Sequence, residues 1–169
     1  MKHHAFALVI SATTLAMSIP AWASNTITCP DISKARQIAE CPAEEDVDRM
    51  FMISCGFERD PEAKKPELCD SYAEFKRRKH TALWESSDGE FMGYVTCAVP
   101  SAEIKKAKLA SVAVSQKNGL YKISCNYQEA VKFTMRTRSV CRVVGVKNSS
   151  IVMRGDCSSD ASACKVECD

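Results

Sequence analysis

Histidine is almost missing from this chain. Of its three histidines, His3 and His4 stand among the first residues, so His80 is the only one available to a mature domain. A Ser-His-Asp or Cys-His arrangement would need that residue as its base, held by a carboxylate beside a nucleophile. Its neighbours in Lys76-Arg77-Arg78-Lys79-His80 are all cationic, which lowers proton affinity and supplies no orienting partner, so His80 reads as a surface residue. Gly-x-Ser-x-Gly and the glycine-rich phosphate loop are absent, which removes two common enzyme signatures. No Cys-x-x-Cys is present to lower a thiol pKa for redox work. Past residue 23 no apolar run is long enough to span a bilayer, which argues against stable membrane insertion. Nor is either sign of charge in excess: 23 basic and 21 acidic residues leave a formal net charge of +2. That balance predicts no global attraction to nucleic acid or membrane, so any polyanion must be held by a local patch.

What is present begins with a leader. Lys2 opens a short cationic start, an uncharged run extends from Ala5 to Pro20, and Ala21-Trp22-Ala23 precedes Ser24. This is the pattern of a secretory signal peptide over residues 1–23, cleaved between Ala23 and Ser24. The run is shorter than the roughly 20 residues of a membrane span and carries Ser11, Thr13, Thr14 and Ser18, so a permanent anchor fits less well. Residues 24–169 then form a single disulfide-rich domain, periplasmic or secreted.

All ten cysteines fall in that part: Cys29, Cys41, Cys55, Cys69, Cys97, Cys125, Cys141, Cys157, Cys164 and Cys168. An even count in an exported chain predicts a disulfide framework, each bridge contributing about 2–4 kcal/mol. Cys55 with Cys69, or Cys29 with Cys55, are the local candidates, while Cys41 should reach the strand-forming half. Zinc or copper on Cys157, Cys164 and Cys168 is a weaker reading, because export oxidises thiols before metal capture and no histidine completes a ligand set. Neither a metal nor a cofactor is expected.

The pattern predicts an α+β fold, with a helical N-terminal part over 29–85 packed on an antiparallel β-sheet from 90–155, and a cysteine-rich tail over 156–169. Asp31 can cap a first helix carrying Ile32, Ala35, Ile38 and Ala39. Glu44, Glu45 and Asp46 crowd the first turn of a second, which Gly56 can end. Pro66 can open a third, running to Trp84 with Leu68, Tyr72, Phe75, Ala82 and Leu83 as its buried stripe. From Glu90 the period changes to two: Phe91 to Val99 reads as a strand, and Pro100 to Lys108 as a short helix or charged connection. Ser111 to Ser115 and Leu120 to Tyr127 flank Lys117-Asn118-Gly119, a hairpin signal. Val131, Phe133 and Met135 alternate with Lys132, Thr134 and Arg136, which predicts a strand with one core face and one wet face. Val140 to Val146 and Ile151 to Arg154 add further strands, and the tail, poor in apolar residues, should be ordered by bridges rather than by packing.

The run Tyr121-Lys122-Ile123-Ser124-Cys125-Asn126-Tyr127, followed by a strand and another cysteine, together with Cys29-Pro30, resembles small exported cysteine-rich domains of unknown function in Gram-negative bacteria. The resemblance implies export and disulfides and carries no activity with it. Candidate polyanion-binding residues are Lys76, Arg77, Arg78 and Lys79, following Lys64 and Lys65, and Lys132, Arg136 and Arg138 near Arg142. They fit a non-enzymatic binding module for a protein or an anionic surface polymer. The alternatives are a small secreted hydrolase using two converging carboxylates and an inhibitor of a host or competitor hydrolase.

Overall fold

From Thr81 to Thr137 side chains alternate between interior and solvent along most strands, and this two-residue period builds most of the fold. The computed structural model describes residues 25–56, 67–144, 152–158 and 164–169. The expected signal peptide, Lys64, Lys65, Pro66 and the 145–151 connection lie outside the described residues. The strands are β1 (Asn25–Thr28), β2 (Arg36–Gln37), β3 (Thr81–Glu85), β4 (Met92–Thr96), β5 (Leu109–Lys117), β6 (Leu120–Tyr127), β7 (Lys132–Thr137), β8 (Cys141–Val143), β9 (Val152–Asp156) and β10 (Lys165–Cys168). The helices are α1 (Glu44–Phe51), α2 (Tyr72–Lys79) and the single turn α3 (Ser101–Ile104). A seven-stranded antiparallel sheet runs β2-β3-β4-β7-β6-β5-β9, and a three-stranded antiparallel sheet runs β1-β10-β8.

Both sheets feed one core. Trp84, Phe91, Val95, Val112, Val114, Ile123 and Phe133 of the large sheet are buried in the same cluster as Val143 and Val166 of the small one. At Gly155 they pack tightly: a Cβ there would lie 3.0 Å from Val143 Cγ1 and 3.4 Å from Val112 Cγ1. The β5–β6 hairpin turns as expected, with Asn118 at φ 52° and Gly119 at φ 73°, the left-handed pair a type I′ turn demands.

Helix and antiparallel sheet are both present, but the boundary between them is not at residue 85. Asp31 does cap a turn, accepting from Ser33 N at 3.0 Å. That turn is a three-residue 3-10 helix, Ile32–Lys34, after which Arg36 and Gln37 pair with Glu85 and Trp84. The third helix also ends early, at Lys79, and Thr81–Glu85 is a strand with Ala82 and Trp84 buried. Ala82 and Leu83 fit a helical stripe, yet only a two-residue period buries Trp84 with Ala82 and leaves Leu83 and Glu85 outward. Sheet pairing overrides local helix preference here.

α1 and α2 make a small pair of their own. Phe51 meets Tyr72 and Phe75 edge-to-face, each at 5.2 Å between ring centroids. Val47, Cys69 and Phe75 are buried but lie outside the sheet-centred core cluster.

All ten cysteines are bridged: Cys29–Cys125, Cys41–Cys97, Cys55–Cys69, Cys141–Cys168 and Cys157–Cys164. Of the two local candidates the structure takes Cys55–Cys69. Cys29 instead joins β6, and Cys41 reaches the end of β4 as expected. The tail is ordered by pairing as well as by bridges, since β10 lies between β1 and β8 with Val166 1% exposed.

Tyr127 ties the sheets together near the Cys29–Cys125 bridge, its hydroxyl donating to the Pro30 carbonyl. Burial, with a smaller push from Asp31, raises its phenol pKa well above the usual 10.0. The neutral form is therefore favoured in the folded state, so its contribution is fully present below about pH 10 and is lost as pH rises beyond that. Urea unfolding between pH 9 and 11 should show a steeper alkaline loss of stability in the parent than in Tyr127→Phe; equal slopes would remove this role.

Candidate functional site

The outward face of the large sheet is set by the same alternation that fills its core. Val131, just before β7, and Phe133 on it point inward, so Lys132, Thr134 and Arg136 face outward. Opposite them on β6, Ile123 and Cys125 are buried, which turns Lys122, Ser124 and Asn126 outward. The register sets Lys122 directly across from Arg136 and Asn126 across from Lys132. On the other side Ser115 faces Lys122, and Ala113 faces Arg154 of β9. Small residues, Ala113, Ser115 and Ser124, make a low floor between longer cationic side chains.

Two shallow depressions cover this area. One, of about 630 Å³, wraps the hairpin and is bordered by Lys117, Lys122, Arg136 and Arg138. The next, of about 260 Å³, is bordered by Lys122, Lys132 and Arg154 over Ser115, Ser124 and Asn126. No carboxylate among the described residues lines either one. Among the described residues none of these six cations makes an ion pair. Arg154 is steadied by a neutral partner, its Nη2 donating to Ser111 Oγ at 3.3 Å, while Asn126 Nδ2 donates to the same oxygen at 3.2 Å. Among the described residues the face has carboxylates toward its margins, Glu85 on β3 and Asp156 at the end of β9. Arg36 lies 3.4 Å from the first, and the second accepts from Ser158 N at 2.9 Å.

The basic run on α2 is placed differently. Arg77 grips Glu74 with two bonds of 2.8 and 2.7 Å, and Arg78 adds a third at 2.6 Å. These bonds hold the Glu74 carboxyl down to about 2. Lys76 donates to Glu44 of α1 at 2.9 Å, which lowers the Glu44 pKa and raises that of Lys76. Three of the four helical cations thus carry their own counter-charge. Arg142 is likewise engaged on the small sheet, 2.9 Å from Glu167 and 3.6 Å from Asp169.

The structure therefore splits the expected polyanion residues. Lys132, Arg136 and Arg138 are brought together with Lys117, Lys122 and Arg154, whereas Lys76, Arg77, Arg78 and Lys79 line none of these depressions. Lys122 was visible as the wet position between Tyr121 and Ile123. Its meeting with Arg136 depended on a register that a single strand does not carry.

Other chemistry finds less support. His80 is the half-buried residue ending α2, its carbonyl accepting from Cys97 N at 3.0 Å. Cys157 and Cys164 are bonded to each other and Cys168 to Cys141, so the thiolate metal site is replaced by disulfides. A hydrolase would need two converging carboxylates; a third depression, along β9, is lined by Asp156 alone beside Arg154, Ala110, Ser111 and Gly155. Among the described residues no helix is long and apolar enough to cross a membrane. No protein-family model matches the chain, and no curated protein or solved structure matches it significantly.

Proposed function

We propose that this protein is an exported, disulfide-stapled binding module that holds an anionic surface polymer on the outward face of its large sheet. Export rests on the leader pattern over residues 1–23 and on the bridging of all ten cysteines, which calls for an oxidising compartment such as the periplasm or the exterior. Mass spectrometry of the mature chain should place its start at Ser24.

The observation that carries the binding reading is the Lys122–Arg136 pair. Like charges directly opposite across a sheet cost stability. Here, among the described residues, the pair sits amid four further cations, and the nearest carboxylate is Asp156 at the margin beside Arg154. A row of sulfates or phosphates would relieve this repulsion. Along β7, Lys132 and Arg136 are about 13 Å apart at roughly 3.3 Å per residue, and Lys122 lies one strand, about 5 Å, to the side. That spacing suits a repeating anion better than a single small one.

Heparin serves as a probe polymer. Its affinity should fall at least tenfold between 50 and 200 mM salt, as exposed charges are screened. Lys122→Glu with Arg136→Glu should weaken binding nearly a thousandfold, at roughly 1 kcal/mol per charge removed and again per charge reversed. Lys122→Glu alone should unfold at equal or higher urea, because it sets a carboxylate directly opposite Arg136 and ends the like-charge opposition. Reversing Arg77 and Arg78 should leave binding within about twofold. Binding lost only in the α2 variant would move the site to the helix and end this reading.

A further inference from the structure

The cationic tract does not stop at a polar boundary. Where β7 meets β4, it runs into a groove of about 410 Å³ with Lys132 and Arg136 on one side and Leu83, Met92 and Tyr94 on the other. These three occupy outward positions of β3 and β4, with Leu83 directly opposite Tyr94. Tyr94 is 71% and Met92 48% exposed. Ile38 extends the patch beyond β2, 45% exposed and donating its backbone N–H to the Leu83 carbonyl. The inward neighbours Ala82, Trp84 and Val95 are fully buried, so this patch is a second apolar surface on the other side of the sheet.

A purely ionic ligand would use the cations and leave this patch wet. We infer that the polyanion is an anionic lipid surface, its repeating headgroup phosphates held by Lys132, Arg136 and Lys122 and the adjoining acyl portions laid on Leu83, Met92 and Tyr94. The argument is one of complementarity: a phospholipid places charge and hydrocarbon side by side, in the order that β7 and β4 present their partners. Burying the exposed parts of Met92 and Tyr94 gains hydrophobic free energy that a soluble sulfated polymer cannot supply. The contact is peripheral, since the face is flat and polar residues surround it. This inference rests on the polyanion reading above and narrows it.

The test sets vesicles of phosphatidylglycerol and phosphatidylcholine against vesicles of phosphatidylcholine alone and against heparin, using the whole mature protein. The parent should bind the anionic vesicles and heparin but not the zwitterionic vesicles. Met92→Ser with Tyr94→Ser should bind anionic vesicles about tenfold more weakly and heparin within about twofold. Met92→Leu with Tyr94→Phe, which keeps the surface apolar, should retain vesicle binding and reports on folding at the same positions. Equal losses on vesicles and heparin, or no loss on vesicles, would overturn the lipid inference and leave the polyanion reading standing. Failure of the parent to bind either heparin or anionic vesicles would remove both.

Discussion

Replacing Cys29 and Cys125 together by serine should cost about 4–5 kcal/mol and leave little folded protein at 37 °C. The bridge closes a separation of 96 residues, and the entropy it withholds from the unfolded chain grows with the loop, reaching about 4.7 kcal/mol for about 100 residues. Its position adds to the effect. Cys29 directly follows β1, which belongs to the small sheet, whereas Cys125 is a fully buried residue of β6 in the large one. The bond is therefore a covalent tie between the two sheets, and at position 125 a serine hydroxyl would replace it inside an apolar core. Removing Cys55 and Cys69 should cost less, about 3 kcal/mol, because 14 residues separate them and the bond is local to the helical pair. Urea titration of both double variants gives the comparison. A Cys29/Cys125 variant no less stable than the Cys55/Cys69 variant would show that the tie between sheets is not what holds the core.

Gly93→Ala should be the most damaging single substitution on the candidate face, at about 3 kcal/mol, the upper end for overpacking. A Cβ at Gly93 would lie 2.1 Å from the carbonyl oxygen of Lys132 and 3.4 Å from Phe133 Cα. These are backbone atoms, so no side chain can swing away, and β4 and β7 must separate. Their join is slender, with Met92 set opposite Thr134. It is also the join that holds β2, β3 and β4 to the remaining four strands of the large sheet. Lys132 sits on the seam, so the same substitution should weaken heparin binding. The check is the urea midpoint together with amide exchange of β4. An unchanged midpoint and full protection of Val95 would show that the strands have room the geometry denies them.

Where a local signal and the tertiary demand agreed, the fold was legible before any coordinates. Asn118-Gly119 needs positive φ at both residues and flanks two alternating runs, so the β5–β6 hairpin could be written down from its residues. Lys132 and Arg136 were recognisable as wet positions because they alternate with apolar Val131, Phe133 and Met135. Trp84 misled, since its neighbours suit a helix as well as a strand and the arbiter is β2, some 49 residues earlier across the Arg36–Glu85 pair. The basic run on α2 and the strand cations were candidates together. Glu74, three and four residues from Arg77 and Arg78, was a visible counter-charge, but Glu44, 32 residues from Lys76, was not.

By itself, the order of residues determined the hairpin, the inward and outward faces of β6 and β7, and a cysteine complement that comes out wholly paired, because each of these depends on neighbours close along the chain or on count alone. Which cysteine meets which, which cations face one another without relief, and where an apolar strip borders them were decided only by tertiary structure. Register and sheet order bring together side chains such as Cys29 and Cys125, or Lys122 and Arg136, whose proximity no local pattern records.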